Sequence, residues 1–140
     1  KLAAEGALLM LDTVEGMWAK RITPTPQDHS QATYSKMLSK IDGKIDWQRD
    51  AKYLDRFVRA MNPWPFAYCE FEGQALKVLE AVSVTGSGTP GRIEDIRGDA
   101  LEIGTGSGRL RLNIVQPPGR PAMTAGAFAA ARRLSLGYTF

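Results

Sequence analysis

The sequence predicts an α+β fold that is mainly β, built as a small antiparallel barrel with helices at its ends. Before residue 62 apolar side chains recur at helical spacing, whereas from Phe66 onward they alternate with polar ones. The 14 glycines and 8 prolines are concentrated after residue 62, where they separate short alternating runs. Short strands with glycine-rich connections are typical of such barrels. A length of 140 residues with 44% hydrophobic content suits one such core.

The N-terminal residues predict a helix followed by a linker. Apolar residues from Leu2 to Val14 form a broad face at helical spacing, and Gly16 is a plausible stop. Residues 20–32 have no period and contain two prolines, which indicates an extended segment. We therefore expect residues 1–19 to be the last helix of a preceding domain, residues 20–32 to be an interdomain linker, and residues 33–140 to be the main domain.

Two helices are predicted at the start of the main domain. Thr33 is a candidate cap for a short helix that runs to Lys40, before a turn at Asp42-Gly43. Asp50 is expected to cap the second helix, and Pro63 is expected to end it because proline lacks a backbone donor. The predicted apolar stripe of that second helix consists of Ala51, Leu54, Phe57, Val58 and Met61.

The strands follow from the alternating pattern. Residues 66–72 and 74–84 predict a hairpin, with Leu76, Val78, Val82 and Val84 on one face. Further strands are predicted near residues 92–96, 100–103 and 109–115. Thr124 is expected to cap a final helix that runs to Arg133, and Gly137 to lie in a closing turn or tail.

Asn62-Pro63-Trp64-Pro65 is the most unusual motif in the chain. Two prolines fix the backbone, and the tryptophan between them supplies a large apolar group. We interpret it as a structural corner that packs into the core between helix and barrel. The sequence leaves open whether the Trp64-Pro65 bond is cis.

No catalytic or metal-binding constellation is predicted. The only histidine, His29, lies in the linker with no cysteine or carboxylate cluster nearby, and Asp42 and Asp46 flank a turn. The single cysteine, Cys69, excludes an internal disulfide and is expected to be a buried, inert thiol in a reducing compartment. The glycines of residues 104–108 precede an alternating segment rather than a helix, which favours a hairpin turn over a phosphate-binding loop.

The positive charge is concentrated at the C-terminal end. Residues 100–140 carry five arginines and one carboxylate, Glu102, within a total net charge of +3. Such an excess attracts polyanions, although a few arginines are also compatible with ordinary solvated surface.

Several motifs resemble, in order along the whole chain, those of the methionyl-tRNA formyltransferase family. They are Lys1-Leu2-Ala3, Pro26-Gln27-Asp28, Ala32-Thr33-Tyr34, Ile45-Asp46-Trp47, Val58-Arg59-Ala60-Met61 with Asn62-Pro63-Trp64-Pro65, Leu76-Lys77-Val78, Pro90-Gly91-Arg92-Ile93, Gln116-Pro117-Pro118-Gly119-Arg120, Met123-Thr124-Ala125 and Phe128. The chain departs from the family at Arg120-Pro121, where two basic residues are common.

The resemblance implies an OB-like C-terminal domain that holds initiator methionyl-tRNA in a cytoplasmic, monomeric enzyme of translation initiation. Formyl transfer from 10-formyltetrahydrofolate is then expected in a preceding domain that also holds the catalytic residues. No catalytic residue, cofactor or metal is expected in this chain. The candidate tRNA contacts are Lys20, Arg21, Lys36, Lys40, Lys44, Arg109, Arg111, Arg120, Arg132 and Arg133.

Two alternatives remain open at this stage. The domain could be a structural buttress for its catalytic neighbour with little RNA contact, because the broad apolar face of the first helix requires a partner. The parent enzyme could also formylate a nucleotide sugar, since sugar formyltransferases share the two-domain layout.

Overall fold

A computed structural model describes residues 2–140, which divide into two units. The first unit ends at Lys36, and the second comprises Met37–Phe140. In chain order the elements are α1 (Leu2–Trp18), one-turn 3-10 helices at His29–Gln31 and Lys40–Gly43, α2 (Ala51–Met61), β1 (Ala67–Phe71), β2 (Gln74–Val84), β3 (Ile93–Arg97), β4 (Ala100–Gly104), β5 (Arg109–Gln116), β6 (Met123–Thr124) and α3 (Ala125–Arg132).

The first unit contains α1 and an extended segment. The helix passes through Gly16, contrary to the predicted stop, and ends at Trp18. The left-handed residue that terminates it is Lys20, with φ of 56°. The Gly16 carbonyl accepts from the amides of Arg21 and Ile22, and the Ile22 side chain lies over the space that a Gly16 side chain would fill. None of the described helices is long and apolar enough to cross a bilayer.

The helix predicted from Thr33 to Lys40 is wrong, because residues 32–39 have no regular structure. A single 3-10 turn begins one residue later, at Lys40. Asp42 Oδ2 fixes that turn by accepting from both the backbone amide and the hydroxyl of Ser39, at 2.8 and 2.7 Å. The local cap thus consists of Ser39 with Asp42, and not of Thr33.

Helix α2 confirms the prediction for the second helix. Asp50 Oδ1 accepts from the amides of Lys52 and Tyr53, as expected of a capping carboxylate. Leu54 and Val58 are fully buried. The helix ends at Met61, and Asn62 adopts an extended conformation before Pro63.

The strands form one antiparallel sheet in the order β1-β2-β5-β4-β3, and β6 pairs with β5. This confirms the mainly β, α+β fold class and the hairpin between β1 and β2. The alternation predicted for β2 holds only for Leu76 and Val78. A bulge at residues 79–80 shifts the pattern by one position, so that Ala81 is buried whereas Val82 is exposed.

The end strands β1 and β3 are not hydrogen-bonded to each other, so the predicted barrel is not closed by backbone pairing. Each edge is instead contacted by an irregular segment. The Ile45 amide donates to the Tyr68 carbonyl beside β1, and the Ile93 amide donates to the Tyr138 carbonyl beside β3, each at 2.8 Å.

Aromatic side chains fill the gap between these edges. We call this group the seam cluster, and its members are Trp47, Phe71, Phe128, Tyr138 and Phe140. The Phe71 ring contacts the rings of Phe128 and Tyr138, with centroids 5.0 and 5.8 Å apart. Trp47 and Phe140 approach to 6.4 Å. Packing of rings therefore completes the core where the hydrogen-bonded sheet stops.

Helix α3 lies against the sheet and closes the core. Thr124 Oγ1 accepts from the Ala127 amide, which confirms the predicted cap. Arg133, with φ of 53°, ends the helix. The largest fully buried side chains of the core are Phe128, Leu54, Leu76, Ile93, Leu101, Ile103, Leu110, Leu112, Val58, Val78, Val115 and Cys69.

Candidate nucleic-acid interface

Two of the candidate arginines are held by a buried carboxylate. Glu102 on β4 pairs in register with Arg111 on β5 and is 3% exposed. Its Oε1 accepts from Arg111 Nη2 at 2.8 Å, and its Oε2 lies 3.4 Å from Arg109 Nη1. Arg109 Nε also donates to the Ser87 carbonyl at 2.7 Å. Both guanidinium groups therefore stabilise the local fold, and their charge is partly neutralised.

Two further candidates form exposed ion pairs. Lys44 Nζ lies 3.1 Å from Glu70 Oε2, and both side chains are more than half exposed. Arg132 lies 3.8 Å from Glu72 and over the Phe71 ring, 5.8 Å from its centroid. Exposed pairs of this kind contribute little to stability, so both cations stay accessible to a stronger anion.

Three candidates of the second unit are exposed cations for which the described residues provide no carboxylate within 4.0 Å. They are Lys40, Arg120 and Arg133. Arg120 lies in the connection between β5 and β6, where its carbonyl accepts from Gln116 Nε2 at 3.0 Å. Lys20, Arg21 and Lys36 belong to the first unit and are exposed there. Within the second unit, the structure brings Arg109 and Arg111 together on Glu102 and pairs Lys44 and Arg132 with carboxylates of the β1–β2 hairpin.

The structural corner differs from its prediction at Trp64. Asn62 Nδ2 donates to the Leu79 carbonyl at 2.6 Å, which ties the corner to β2. The peptide bonds before Pro63 and Pro65 are both cis. Trp64, however, is 54% exposed and does not pack into the core. The backbone of the corner is structural, whereas its largest side chain faces solvent.

Trp64 lies at the rim of a cleft of about 460 Å³ that the sequence analysis missed. We call it the aromatic cleft; it is lined by Lys40, Trp64, Pro65, Phe66, Tyr68, Ala75 and Lys77. Tyr68 on β1 and Lys77 on β2 are cross-strand partners. Lys77 Nζ lies 4.3 Å from the centroid of the Phe66 ring, a cation–π contact.

A signal for this cleft was present in the sequence. Ala67, Cys69 and Phe71 are the buried positions of β1, so Tyr68 between them faces the other side of the sheet. An outward tyrosine so close to Trp64 indicates an aromatic surface. That surface was missed because Trp64 was assigned to the core.

A second cleft continues from the first. It is about 420 Å³ and is lined by Gln74, Ala75, Lys77, Gln116, Pro117, Pro118 and Gly119. Ala75 and Lys77 belong to both clefts, and Arg120 follows Gly119 directly. Among the residues that the structure describes, no carboxylate lines either cleft. The two clefts adjoin on the outer face of the β1–β2 hairpin, where the exposed Glu70 lies opposite Ala75 and is paired with Lys44.

The remaining chemistry-bearing groups are structural. Cys69 is buried as predicted, and burial raises the pKa of its thiol to about 12. Residues 105–108 connect β4 to β5, which confirms the hairpin-turn interpretation. Within residues 2–140 no group of three or more His, Cys, Asp or Glu side chains could hold a metal ion.

Fold and surface together define an antiparallel α+β domain with an outward face of aromatic and basic side chains. Residues 37–133 match the family described as "Formyl transferase, C-terminal domain". The chain belongs to this family.

Relatives extend the match to the first unit. The chain is 42% identical to a methionyl-tRNA formyltransferase of Heliobacterium modesticaldum, over 99% of its own length and 47% of the relative's. It is 41% identical to the methionyl-tRNA formyltransferase of Streptococcus sanguinis, over 100% of its length and 46% of the relative's. The chain therefore spans about half the length of these curated relatives.

Solved structures share the fold at low sequence identity. A HypX variant from Aquifex aeolicus superposes with a TM-score of 0.67 at 19% identity, over 91% of this chain and 23% of that one. A second variant gives a TM-score of 0.64 at 22% identity, over 86% of this chain and 23% of that one. At such identity the likeness concerns the fold alone.

Proposed function

We propose that this chain is the C-terminal domain of a methionyl-tRNA formyltransferase and that it positions initiator tRNA for formylation. The assignment to a methionyl-tRNA formyltransferase rests on the 41–42% identity to two enzymes of that name over 99–100% of the chain. The same relatives favour tRNA over the nucleotide-sugar substrate that the sequence left open. Formyl transfer from 10-formyltetrahydrofolate is assigned to the half of those enzymes that this chain does not cover.

The distribution of charge supports the positioning role. Residues 37–140 carry 14 lysines and arginines and 11 carboxylates, so the whole net charge of +3 belongs to the second unit. The accessible cations Lys40, Arg120 and Arg133 have no carboxylate partner among the described residues. Contacts between such cations and phosphates set the register of an RNA without reading its sequence.

The test is binding of initiator tRNA to the chain between about 20 and 200 mM salt, where phosphate contacts make affinity fall steeply with salt concentration. Replacing Arg120 and Arg133 together with alanine should flatten the slope of log affinity against log salt by about 1.5, given roughly 0.7–0.9 per contact. The matched control is Arg59→Ala with Arg97→Ala, since those exposed arginines are already paired with Asp55 and Asp95. Equal slopes for the two double variants, or no binding at low salt, would contradict the positioning role.

A buttress role is the second candidate, and the surface of α1 favours it. Leu8, Leu9, Leu11 and Trp18 on this helix are exposed by 63–90%. In a full-length enzyme these side chains would pack against the catalytic half. Under this alternative, charge removal at Arg120 and Arg133 leaves the KM for tRNA unchanged, whereas Leu8→Ser with Leu11→Ser lowers the melting temperature of the whole enzyme.

A further inference from the structure

The aromatic cleft combines two kinds of side chain that the proposed phosphate contacts do not require. Trp64 presents a large exposed ring at the rim, and Phe66 and Tyr68 form the wall beside it. Lys77 Nζ is held over the Phe66 ring, and Lys40 also lines the cleft. Rings and ammonium groups therefore occupy one concave site.

The cleft is suited to a planar, anionic ligand. Its volume of about 460 Å³ lies in the range of small-molecule sites. Its formal charge is +2, because two lysines and no carboxylate line it. Aromatic rings offer a stacking surface to any nucleobase, and neighbouring ammonium groups attract the phosphates on either side of that base.

We propose that the aromatic cleft binds one unpaired nucleotide of an RNA, with its base stacked on Trp64 and an adjacent phosphate near Lys77. This inference rests on the proposed tRNA function and names a subsite within it. It differs from the phosphate contacts, since stacking requires a base that is free of its helix.

The continuation of the cleft favours a nucleic acid over a peptide segment. The second cleft leads from Lys77 past Gln116 to Gly119, with Arg120 next in sequence, again without a carboxylate in its lining. Glu70 lies opposite Ala75 on the same face, but its charge is paired with Lys44. A polyanion that follows this path from the stacked base meets a cation at Lys77 and another at Arg120. A basic or zwitterionic peptide would find no acidic partner in either lining.

The experiment compares two labelled RNAs by fluorescence anisotropy: a single-stranded pentanucleotide and a fully paired hairpin. The wild-type chain should bind the single strand more tightly than the hairpin. Trp64→Ala should weaken single-strand binding by about 5- to 100-fold, the range expected for loss of one base–aromatic stack. Hairpin binding should change less than about 2-fold, because a paired base cannot enter the cleft.

Further variants distinguish a loss of base stacking from a loss of folding and from a loss of charge. Trp64→Phe should retain single-strand affinity, whereas Trp18→Ala, which removes a 90% exposed tryptophan from α1, should have no effect. Lys77→Met keeps an apolar stem on Phe66 and should reduce the salt slope by about 0.7. Melting curves of each variant identify any that fails to fold.

The outcomes distinguish this inference from the proposed function. If Trp64→Ala binds the single strand as tightly as wild type, or if wild type shows no preference for it, the nucleotide subsite is overturned. In that case tRNA binding with a slope that depends on Arg120 and Arg133 would still support positioning. Conversely, Trp64-dependent binding of the pentanucleotide with no tRNA affinity would support the cleft and overturn the positioning role.

Discussion

At the scale of single residues, Glu102 shows how the core restrains charges that the sequence presents as free. The carboxylate is 3% exposed and is satisfied by Arg109 and Arg111. Sequence alone indicates five arginines against one acid in residues 100–140, and this imbalance suggests an RNA contact surface. The register of β4 and β5 places that one acid opposite two of the five.

Removing Glu102 should therefore destabilise the domain. Glu102→Ala leaves two partly buried guanidinium groups without a carboxylate, which should lower the free energy of unfolding by about 2–3 kcal/mol, discounted for their partial exposure. Urea denaturation measures the change. Glu80→Ala is the matched control, since the exposed Glu80 accepts a hydrogen bond from the neutral Asn113 side chain and should change stability by less than about 0.5 kcal/mol. Equal effects of the two variants would contradict the role given to Glu102.

Cys69 should be unreactive while the chain is folded. Burial raises the pKa of its thiol to about 12, so the reactive thiolate is scarce near neutral pH. Alkylation by iodoacetamide at about pH 8 should be roughly 100-fold slower in the native chain than in urea. Mass spectrometry follows the modification. Equal rates in both states would show that the β1–β2 hairpin opens readily.

Burial of the Cys69 thiol also determines how the stability of the domain changes at alkaline pH. The folded-state pKa of Cys69 lies above the ordinary thiol value of 9.0, so the unfolded chain loses this proton first. Stability is therefore complete below about pH 9 and declines as pH rises from there toward the folded value. Cys69→Ala should reduce this alkaline decline relative to wild type.

At the scale of elements, Asp55 joins α2 to the sheet. Its Oδ2 accepts from the Ser83 amide of β2 at 3.1 Å, and Arg59 lies 3.0 Å from its Oδ1. The hydrogen bond from the Ser83 backbone holds the pKa of the Asp55 carboxyl below its usual range, with a smaller contribution from Arg59. Asp55 is not part of the apolar stripe predicted for α2, and the structure shows that it contacts β2.

Asp55→Ala should lower the free energy of unfolding by about 1–2 kcal/mol at pH 7, because a backbone donor loses a charged acceptor. A depressed folded pKa contributes stability above the ordinary carboxyl pKa of 3.8, and that contribution is lost as pH falls through the folded value. The difference between variant and wild type should therefore shrink below about pH 4. Lys52→Ala on the same helix is the control, and a pH-independent difference would exclude the carboxylate as the cause.

Local patterns predicted the elements well where local physics determines them. Asp50 and Thr124 cap the helices they were expected to cap, because a short polar side chain before a helix has one dominant role. Predictions failed where contacts between residues distant in sequence determine the local structure. The bulge in β2 depends on pairing with β5, and the exposure of Trp64 depends on how the corner joins β2.

At the scale of the whole molecule, the two units differ in how they are stabilised. The sheet and its helices enclose a common core, whereas the long apolar side chains of α1 are exposed within the described residues. We expect the amides of residues 2–15 to exchange with solvent far faster than those of β2 and β5. Hydrogen-exchange mass spectrometry measures this, and protection of α1 equal to that of the central strands would refute it.

The barrel itself could be predicted only in part. Alternation and turn residues indicate the five longer strands and their antiparallel arrangement, whereas the two-residue β6 has no pattern of its own. Whether the two edge strands β1 and β3 pair with each other depends on tilt and twist summed over the sheet, which no short motif encodes. Tyr138 and Phe140 lie outside every predicted strand and helix, and the structure shows them in the seam cluster.

The seam cluster has a consequence for how copies of this molecule behave toward one another. An open sheet presents unpaired amides and carbonyls at each edge, and such edges recruit strands from neighbouring molecules. Here the Ile45 amide donates to the Tyr68 carbonyl. The Gly137 amide donates to the Ile93 carbonyl, and the Phe140 amide donates to the Gly91 carbonyl. These three carbonyls cannot accept hydrogen bonds from a strand of another molecule while the seam cluster remains packed. An unclosed barrel of this kind resists strand-by-strand aggregation as long as its two covering segments stay in place.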